Sequence, residues 1–189
     1  MIKSKKLSRF TNLRHAFFNR KGGNSKGIFN GLNCGLSSSD KKKYVLSNIR
    51  IVCKKIGVLD KKLILLNQIH SNKLHFITNK NLYKKKKMDG DALITNVKNI
   101  AIGVLTADCV PILIFDKNKS IISAIHAGWK GAYKDIIKKV IKFLIKKGSH
   151  PENIVAAIGP CISRKNYEVQ KDLVHKFIKK DKKNKKFFI

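Results

Sequence analysis

A single α+β domain built on a mixed sheet is the fold this sequence predicts, and three observations carry that expectation. Short apolar segments of strand length outnumber amphipathic helices. The two kinds of segment do not alternate regularly, as a doubly wound parallel sheet would require. The chain, 189 residues with 43% hydrophobic content, supplies one sizeable core and is too short for two.

Taken in order, residues 10–18 read as a first strand. Residues 19–40 hold Gly22, Gly23, Gly27, Gly31 and Gly35 among Asn and Ser, the composition of a long loop; loops of that length inside a domain often carry function. Residues 41–57 form a helix, because Tyr44, Leu46, Ile49, Val52, Cys53 and Ile56 recur every three to four positions and Gly57 can close the last turn. Strands follow near 63–67, 73–77, 91–96, 100–105, 111–115 and 120–126, with a basic exposed loop at 84–90. The clearest helix spans 132–147. Tyr133, Ile136, Ile137, Val140, Phe143 and Leu144 share one face, Lys134, Lys138, Lys142 and Lys146 line another, and Gly148 caps the end. A strand at 154–158 ends in Gly159-Pro160-Cys161. A weaker helix at 170–180 runs into a lysine-rich tail, residues 179–189.

The formal charge is +31, which invites a nucleic-acid reading, since clustered cations bind phosphate backbones by releasing counterions. The texture of the charge argues against it. Of 42 basic residues five are arginine (Arg9, Arg14, Arg20, Arg50, Arg164), leaving 37 lysines. Base-edge and bidentate phosphate recognition favour arginine's planar fork. The lysines fall in runs such as 41–43, 84–87 and 179–186 without interleaved aromatics, so they read as solvated charge. Cys34, Cys53, Cys109 and Cys161 lie far apart with no CxxC, the pattern of free thiols in a reducing cytoplasm. The basic residues 1–9 are not followed by an apolar stretch, so no signal peptide is read. No apolar run approaches a membrane span. The expected location is cytoplasmic.

Chemistry concentrates in three motifs: Gln68-Ile69-His70, Thr106-Ala107-Asp108-Cys109 and His126-Ala127-Gly128-Trp129. Each adjoins a short apolar segment, so three strand ends can bring one thiol and two imidazoles to a common edge. A thiolate with two imidazoles suits zinc or copper, and three protein ligands leave a position open for water or substrate. A buried core cysteine would account for Cys109 about as well, and Trp129, the one tryptophan, can stack on a ligand or fill the core. Asp89, Asp91 and Asp108 are three of eleven acidic residues. They read equally as turn residues and as carboxylates that orient imidazoles or move protons. Gly22-Gly23-Asn24-Ser25 beside Arg20 can present amides and a guanidinium to an anion, and Arg50 offers a fork for phosphate. His15, His75, His150 and His175 lack any such context.

These motifs are similar to those of a known family. Thr106-Ala107-Asp108-Cys109-Val110-Pro111, His126-Ala127-Gly128-Trp129-Lys130-Gly131, Gln68-Ile69-His70, Ala157-Ile158-Gly159-Pro160-Cys161-Ile162 and Tyr167-Glu168-Val169 resemble the YfiH-type family. So do Arg20-Lys21-Gly22-Gly23-Asn24-Ser25, Leu32-Asn33-Cys34-Gly35, Asn48-Ile49-Arg50 and Asp89-Gly90-Asp91-Ala92 upstream, in order, over about residues 14–170. That family was long labelled multicopper polyphenol oxidoreductase or laccase and is now read as purine nucleoside phosphorylases. The resemblance implies a mixed-sheet α/β sandwich with zinc held by His70, Cys109 and His126. It implies phosphorolysis of adenosine, inosine, guanosine and methylthioadenosine, with adenosine deamination besides. On it, Cys109, His126 and Asp108 are the expected catalytic residues, and Arg20, Ser25, Arg50 and Lys130 the expected substrate- or phosphate-binding ones. The expected partners are purine nucleosides and phosphate, with no specific nucleic acid and no membrane, for a monomer or weak dimer.

Two departures stand out. Lys130 occupies a place where the family usually has arginine. The chain also ends in its lysine tail at Ile189, where family members continue, so residues 1–189 are expected to form one YfiH-type domain lacking the usual C-terminal segment, with a weakened site. Three rival readings stay open. A copper-dependent polyphenol oxidoreductase would need further ligands, and only Met1 and Met88 could serve as an axial thioether. A metal-free hydrolase would pair Cys109 with His126. A basic binding module would show steep salt dependence.

Overall fold

The frame of the molecule is a long hairpin. In the computed structural model, which describes residues 1–79 and 88–188, β5 (Val110–Asp116) and β6 (Ile121–Ala127) pair antiparallel from Val110↔Ala127 to Asp116↔Ile121. The buried Asp116 closes their turn by accepting the N–H groups of Asn118 and Lys119, both at 2.9 Å. On one side of the hairpin β3 (Ala92–Thr95) pairs antiparallel with β6, and β2 (Leu74–Ile77) runs parallel to β3. On the other, β7 (Ile154–Ile158) pairs antiparallel with β5, giving a mixed five-stranded sheet of order β2-β3-β6-β5-β7. Two short strands, β1 (Leu63–Ile64) and β4 (Ala101–Ile102), form a separate parallel pair.

Strand alternation sends two apolar sets to opposite faces. Ala92, Ile94, Ile112, Ile114, Ile121 and Ile125 face the helix α3 (Ile136–Lys146), which buries Ile136, Val140 and Leu144 against them. Each such aliphatic side chain contributes about 1.5–3 kcal/mol on burial. On the second face Leu93 packs with Leu66 and Ile77, while Phe115 and Ala157 pack with Leu7 and Phe17. The helix α1 (Lys42–Ile56) buries Val45, Ile49 and Cys53 and ends at Gly57, whose φ of 72° lets the Gly57 and Val58 N–H groups cap Lys54 and Cys53. A cleft of about 1150 Å³ opens on this side, lined by Leu13, Phe17, Arg20, Leu63, Leu105 and Leu113 among others.

The elements follow the expected mixed-sheet α/β order, with instructive departures. The single helix expected over 132–147 is two, α2 (Trp129–Tyr133) and α3, because Asp135 adopts a left-handed backbone (φ 58°) between them. The carboxylate of Asp135 is bound at 2.6 Å by Lys180, near the end of α4 (Lys171–Lys180), and Phe177 of α4 meets the ring of Tyr133 edge-on at 5.3 Å. The strand expected at 10–18 is absent. That segment makes a single bridge between Ile2 and Phe17 and holds itself to the second face through Phe10, Leu13 and Phe17. The strands expected at 63–67 and 100–105 are cut to two residues each, and a side chain continues the pairing. In the tail, Lys182–Phe187 forms a short 3-10 helix. The basic positions 84–87 lie outside the described residues. No helix among those described is long and apolar enough to cross a membrane.

Candidate metal centre

His70, Cys109 and His126 converge at one end of the second face, and each arrives by a different device. His126 is near the end of β6, opposite Pro111 of β5, and is 3% exposed. Cys109 immediately precedes β5, where the left-handed Asp108 (φ 74°) turns the chain and its carbonyl accepts the N–H of Ile162 at 3.0 Å. His70 is brought in by Gln68. The Gln68 amide donates to the carbonyl of Leu105 and accepts its N–H, both at 2.7 Å, extending the β1–β4 pairing by a side chain. The loop that follows therefore runs beside residues 105–109, and His70 closes it with a positive φ of 54°. Strained backbone at two of these corners is typical of sites held in place by their surroundings.

The three ligand atoms lie within 4.8 Å of one another, the one such group of His, Cys, Asp or Glu among the described residues. Cys109 Sγ is 4.0 Å from His70 Nε2, and the two imidazole rings meet edge-on with centroids 4.8 Å apart. Donors bound to a tetrahedral zinc at about 2.0–2.3 Å sit roughly 3.3–3.8 Å from each other, so a cation needs only a contraction of about an ångström. One sulfur and two nitrogens suit zinc or copper. The exposure of His70, beside a half-buried Cys109 and a buried His126, leaves one side open to a further ligand. Gly128 makes the close approach possible: a Cβ there would lie 2.9 Å from His70 Cδ2 and 3.0 Å from Cys109 Sγ.

Asp91 underlies the cluster, fully buried at 0% exposure. Its Oδ1 accepts from His126 Nδ1 at 2.8 Å and from the His70 backbone N–H at 3.1 Å. Its Oδ2 accepts from the Ser71 N–H at 2.6 Å and the Ser71 hydroxyl at 2.7 Å. Burial by itself would raise the Asp91 carboxyl, but the hydrogen bonds from His126 and Ser71 outweigh it and hold the group below the usual carboxylate range. The ionised form therefore dominates near neutral pH, and His126 Nδ1 is the donor. Burial, helped by the charges of Asp108 and Asp91, pushes the Cys109 thiol up. The same residues disfavour an anion at the sulfur and favour a cation beside it. Burial first and Cys109 second push the Tyr167 phenol up.

The remaining candidates are more dispersed. Asp108 is exposed at the lip, next to Cys109. Lys130 is exposed at the start of α2 with its ammonium 5.5 Å from the centre of the Trp129 ring. Arg20 lines the large cleft together with Thr106, Ala107 and Pro160. Ser25 is buried with its hydroxyl engaged, donating to Asp40 at 2.5 Å and accepting from Asn48 at 2.9 Å; the Ser25 bond holds the Asp40 carboxyl low. Arg50 pairs at 3.2 Å with Asp60 on the exposed side of α1. Of the other histidines, His15 accepts from the Ser4 N–H, His75 bonds the Asp89 carbonyl and His150 faces Glu152. Met88 packs against the cluster of Leu66, Ile77 and Leu93. Motif reading gave Gln68 and Tyr167 no role of their own, and did not separate Asp91 from Asp89 and Asp108.

Comparison with known proteins bears on this geometry. Residues 14–189 match the model of a family described as multi-copper polyphenol oxidoreductase laccase. A purine nucleoside phosphorylase of Rickettsia prowazekii is 37% identical over 145 residues, 77% of this chain and 58% of that protein. Another from Haemophilus influenzae is 34% identical over 175 residues, 92% of this chain and 68% of the relative. The crystal structure of Bacillus licheniformis hypothetical protein YfiH superposes with a TM-score of 0.78 at 29% identity, covering 83% of this chain and 61% of that one. YlmD from Geobacillus stearothermophilus gives 0.75 at 27% identity with the same coverages. The chain thus spans between half and two thirds of the length of several relatives it matches.

Proposed function

The chain belongs to the family described as multi-copper polyphenol oxidoreductase laccase, and from that premise we propose that it is a zinc-dependent purine nucleoside phosphorylase with adenosine deaminase activity. The convergence of His70, Cys109 and His126 with one open side carries the reading. The names of its relatives supply the substrate class, purine nucleosides and phosphate. Zinc held by His70, Cys109 and His126 would supply a Lewis acid.

The chain's own residues supply the rest. His126, with its Nδ1–H donated to Asp91, turns a lone pair on Nε2 toward the shared centre. Asp108, exposed at the lip, can take up or release a proton for the departing purine or, in deamination, for the exocyclic amine. Phosphorolysis needs a cation to hold inorganic phosphate near C1′ of the sugar. Lys130, exposed at the start of α2, and Arg20, in the cleft that Thr106 and Ala107 also line, fit that role better than Arg50, whose guanidinium is paired with Asp60. Trp129 offers a flat face for the base.

Copper remains the second reading because the family description names it. A blue-copper centre calls for a weak axial thioether, and Met88 packs in the core with Leu66, Ile77 and Leu93 instead. The decisive experiment incubates metal-loaded protein with inosine, with and without phosphate. Free hypoxanthine and ribose 1-phosphate should form only with phosphate; equal rates in both would rule out phosphorolysis. Oxygen uptake with a phenol on copper loading, and none with zinc, would favour the second reading.

A further inference from the structure

One carboxylate touches two of the three ligand-bearing segments. We propose that Asp91 is the positioning residue of the cluster, a single buried group that fixes the tautomer of His126 and the backbone turn of His70 together, so that the two imidazoles are set as a unit. The inference deepens the reading of this cluster as the reactive centre and rests on that reading for its bearing on turnover.

The geometry is specific. Consecutive N–H groups of His70 and Ser71 both point at the carboxylate, at 3.1 and 2.6 Å, the concave arrangement in which backbone with one left-handed residue binds an anion. The left-handed residue is His70 itself. The bonds to Asp91 therefore offset a conformation that is unfavourable for a non-glycine residue. The Ser71 hydroxyl adds a third bond to the same loop and accepts the Lys73 N–H at 3.1 Å. From the other side, His126 Nδ1 donates to the same oxygen that holds the His70 amide. Backbone bonds secure Asp91 in turn: its N–H donates to the Lys73 carbonyl and its carbonyl accepts the His126 N–H. Few routes remain by which one histidine can shift without the other.

Asp91→Asn is nearly isosteric but offers one acceptor oxygen and one donor where four donors converge. In metal-free protein, nitrogen-15 NMR of the imidazoles reads the tautomer directly, whatever the metal or the activity proves to be. The wild type should show His126 protonated on Nδ1. The D91N variant should lose that preference and shift the His70 ring resonances as well. Zinc affinity by chelator competition should fall about 10- to 100-fold, the usual effect of removing a group that orients a ligand. Ser71→Ala serves as the second variant and carries the test alone if D91N fails to fold. It removes a bond on the His70 side only, so His70 signals should move while the His126 tautomer stays. Wild-type tautomer and His70 shifts in D91N, or unchanged His70 signals in S71A, would overturn the proposal.

Discussion

Replacing Gly128 with alanine tests how tightly the cluster is packed. Gly128 has ordinary extended backbone angles (φ −76°, ψ 170°), so alanine is conformationally allowed, and it should stabilise by about 0.4–1 kcal/mol through the unfolded chain. Against this stands the new methyl group, 2.9 Å from His70 Cδ2 and 3.0 Å from Cys109 Sγ. Carbon contacts relax near 3.5–4.0 Å, so the ring and the sulfur must each recede by about 0.5–1 Å. Overpacking of that size costs about 1–3 kcal/mol, which leaves a net destabilisation of roughly 0–2.5 kcal/mol. Metal affinity should suffer more. Ligand distances tolerate only about ±0.2 Å, and a 10- to 100-fold loss corresponds to about 1.4–2.7 kcal/mol.

Two measurements on the same preparations separate these effects: urea denaturation of metal-free protein, and chelator competition for zinc. A cycle with His70→Ala isolates the cause, because removing the ring should relieve part of the stability cost of the methyl group and make the two changes non-additive. Wild-type zinc affinity in G128A would refute the reasoning. Strict additivity with H70A would assign the strain elsewhere.

Other outcomes follow from the same geometry. Cys109→Ser should abolish stoichiometric zinc, since a neutral hydroxyl is a far poorer ligand than a thiolate; wild-type occupancy by elemental analysis would remove Cys109 from the ligand set. Lys130→Arg should lower the KM for phosphate severalfold if that position faces the anion, because a guanidinium binds bidentately; an unchanged value would move the phosphate site toward Arg20. The Cys34 thiol is pushed up from 9.0 to about 11, by burial first and by Cys53 second. Its contribution to stability is complete below about pH 9 and declines as pH rises toward 11, so the drop over that window should shrink in Cys34→Ala. At pH 8 Cys34 should also react with iodoacetamide well after the exposed Cys161, as read by mass spectrometry.

The elements legible in the sequence were those whose stability is set nearby. The β5–β6 hairpin shows as two apolar runs around Asp116–Ser120, and α1 and α3 show as helical stripes. His70, Cys109 and His126 were legible because each sits where an apolar run meets polar residues. The break at Asp135 was not, since what holds it is Lys180, 45 positions away. Nor was the shortening of β1 and β4, where the Gln68 amide reaches 37 positions to Leu105. Asp89, Asp91 and Asp108 carry the same side chain within twenty positions of one another. Only the folded sheet buries Asp91 between two histidine segments and leaves Asp89 and Asp108 exposed. Arg50 looked free because its partner Asp60 lies beyond the end of its own helix.

Charge ties the site to the rest of the surface. The chain as a whole carries +31, yet the groups nearest the cluster are acidic: Asp91 beneath it and Asp108 at its lip. Screening limits surface charges to about 8 Å at physiological salt, so the two fields govern different events. The distant lysines raise the concentration of anions such as phosphate around the molecule. At the sulfur, Asp91 and Asp108 push the Cys109 thiol up, which discourages a bare thiolate and makes a divalent cation the natural counter-charge. A divalent cation held there would be balanced by the Cys109 thiolate and the Asp91 carboxylate together. An anion entering beside such a neutral cluster, with the exposed Asp108 at its lip, would need a cation of its own, since an uncompensated ion costs several kcal/mol in an apolar interior.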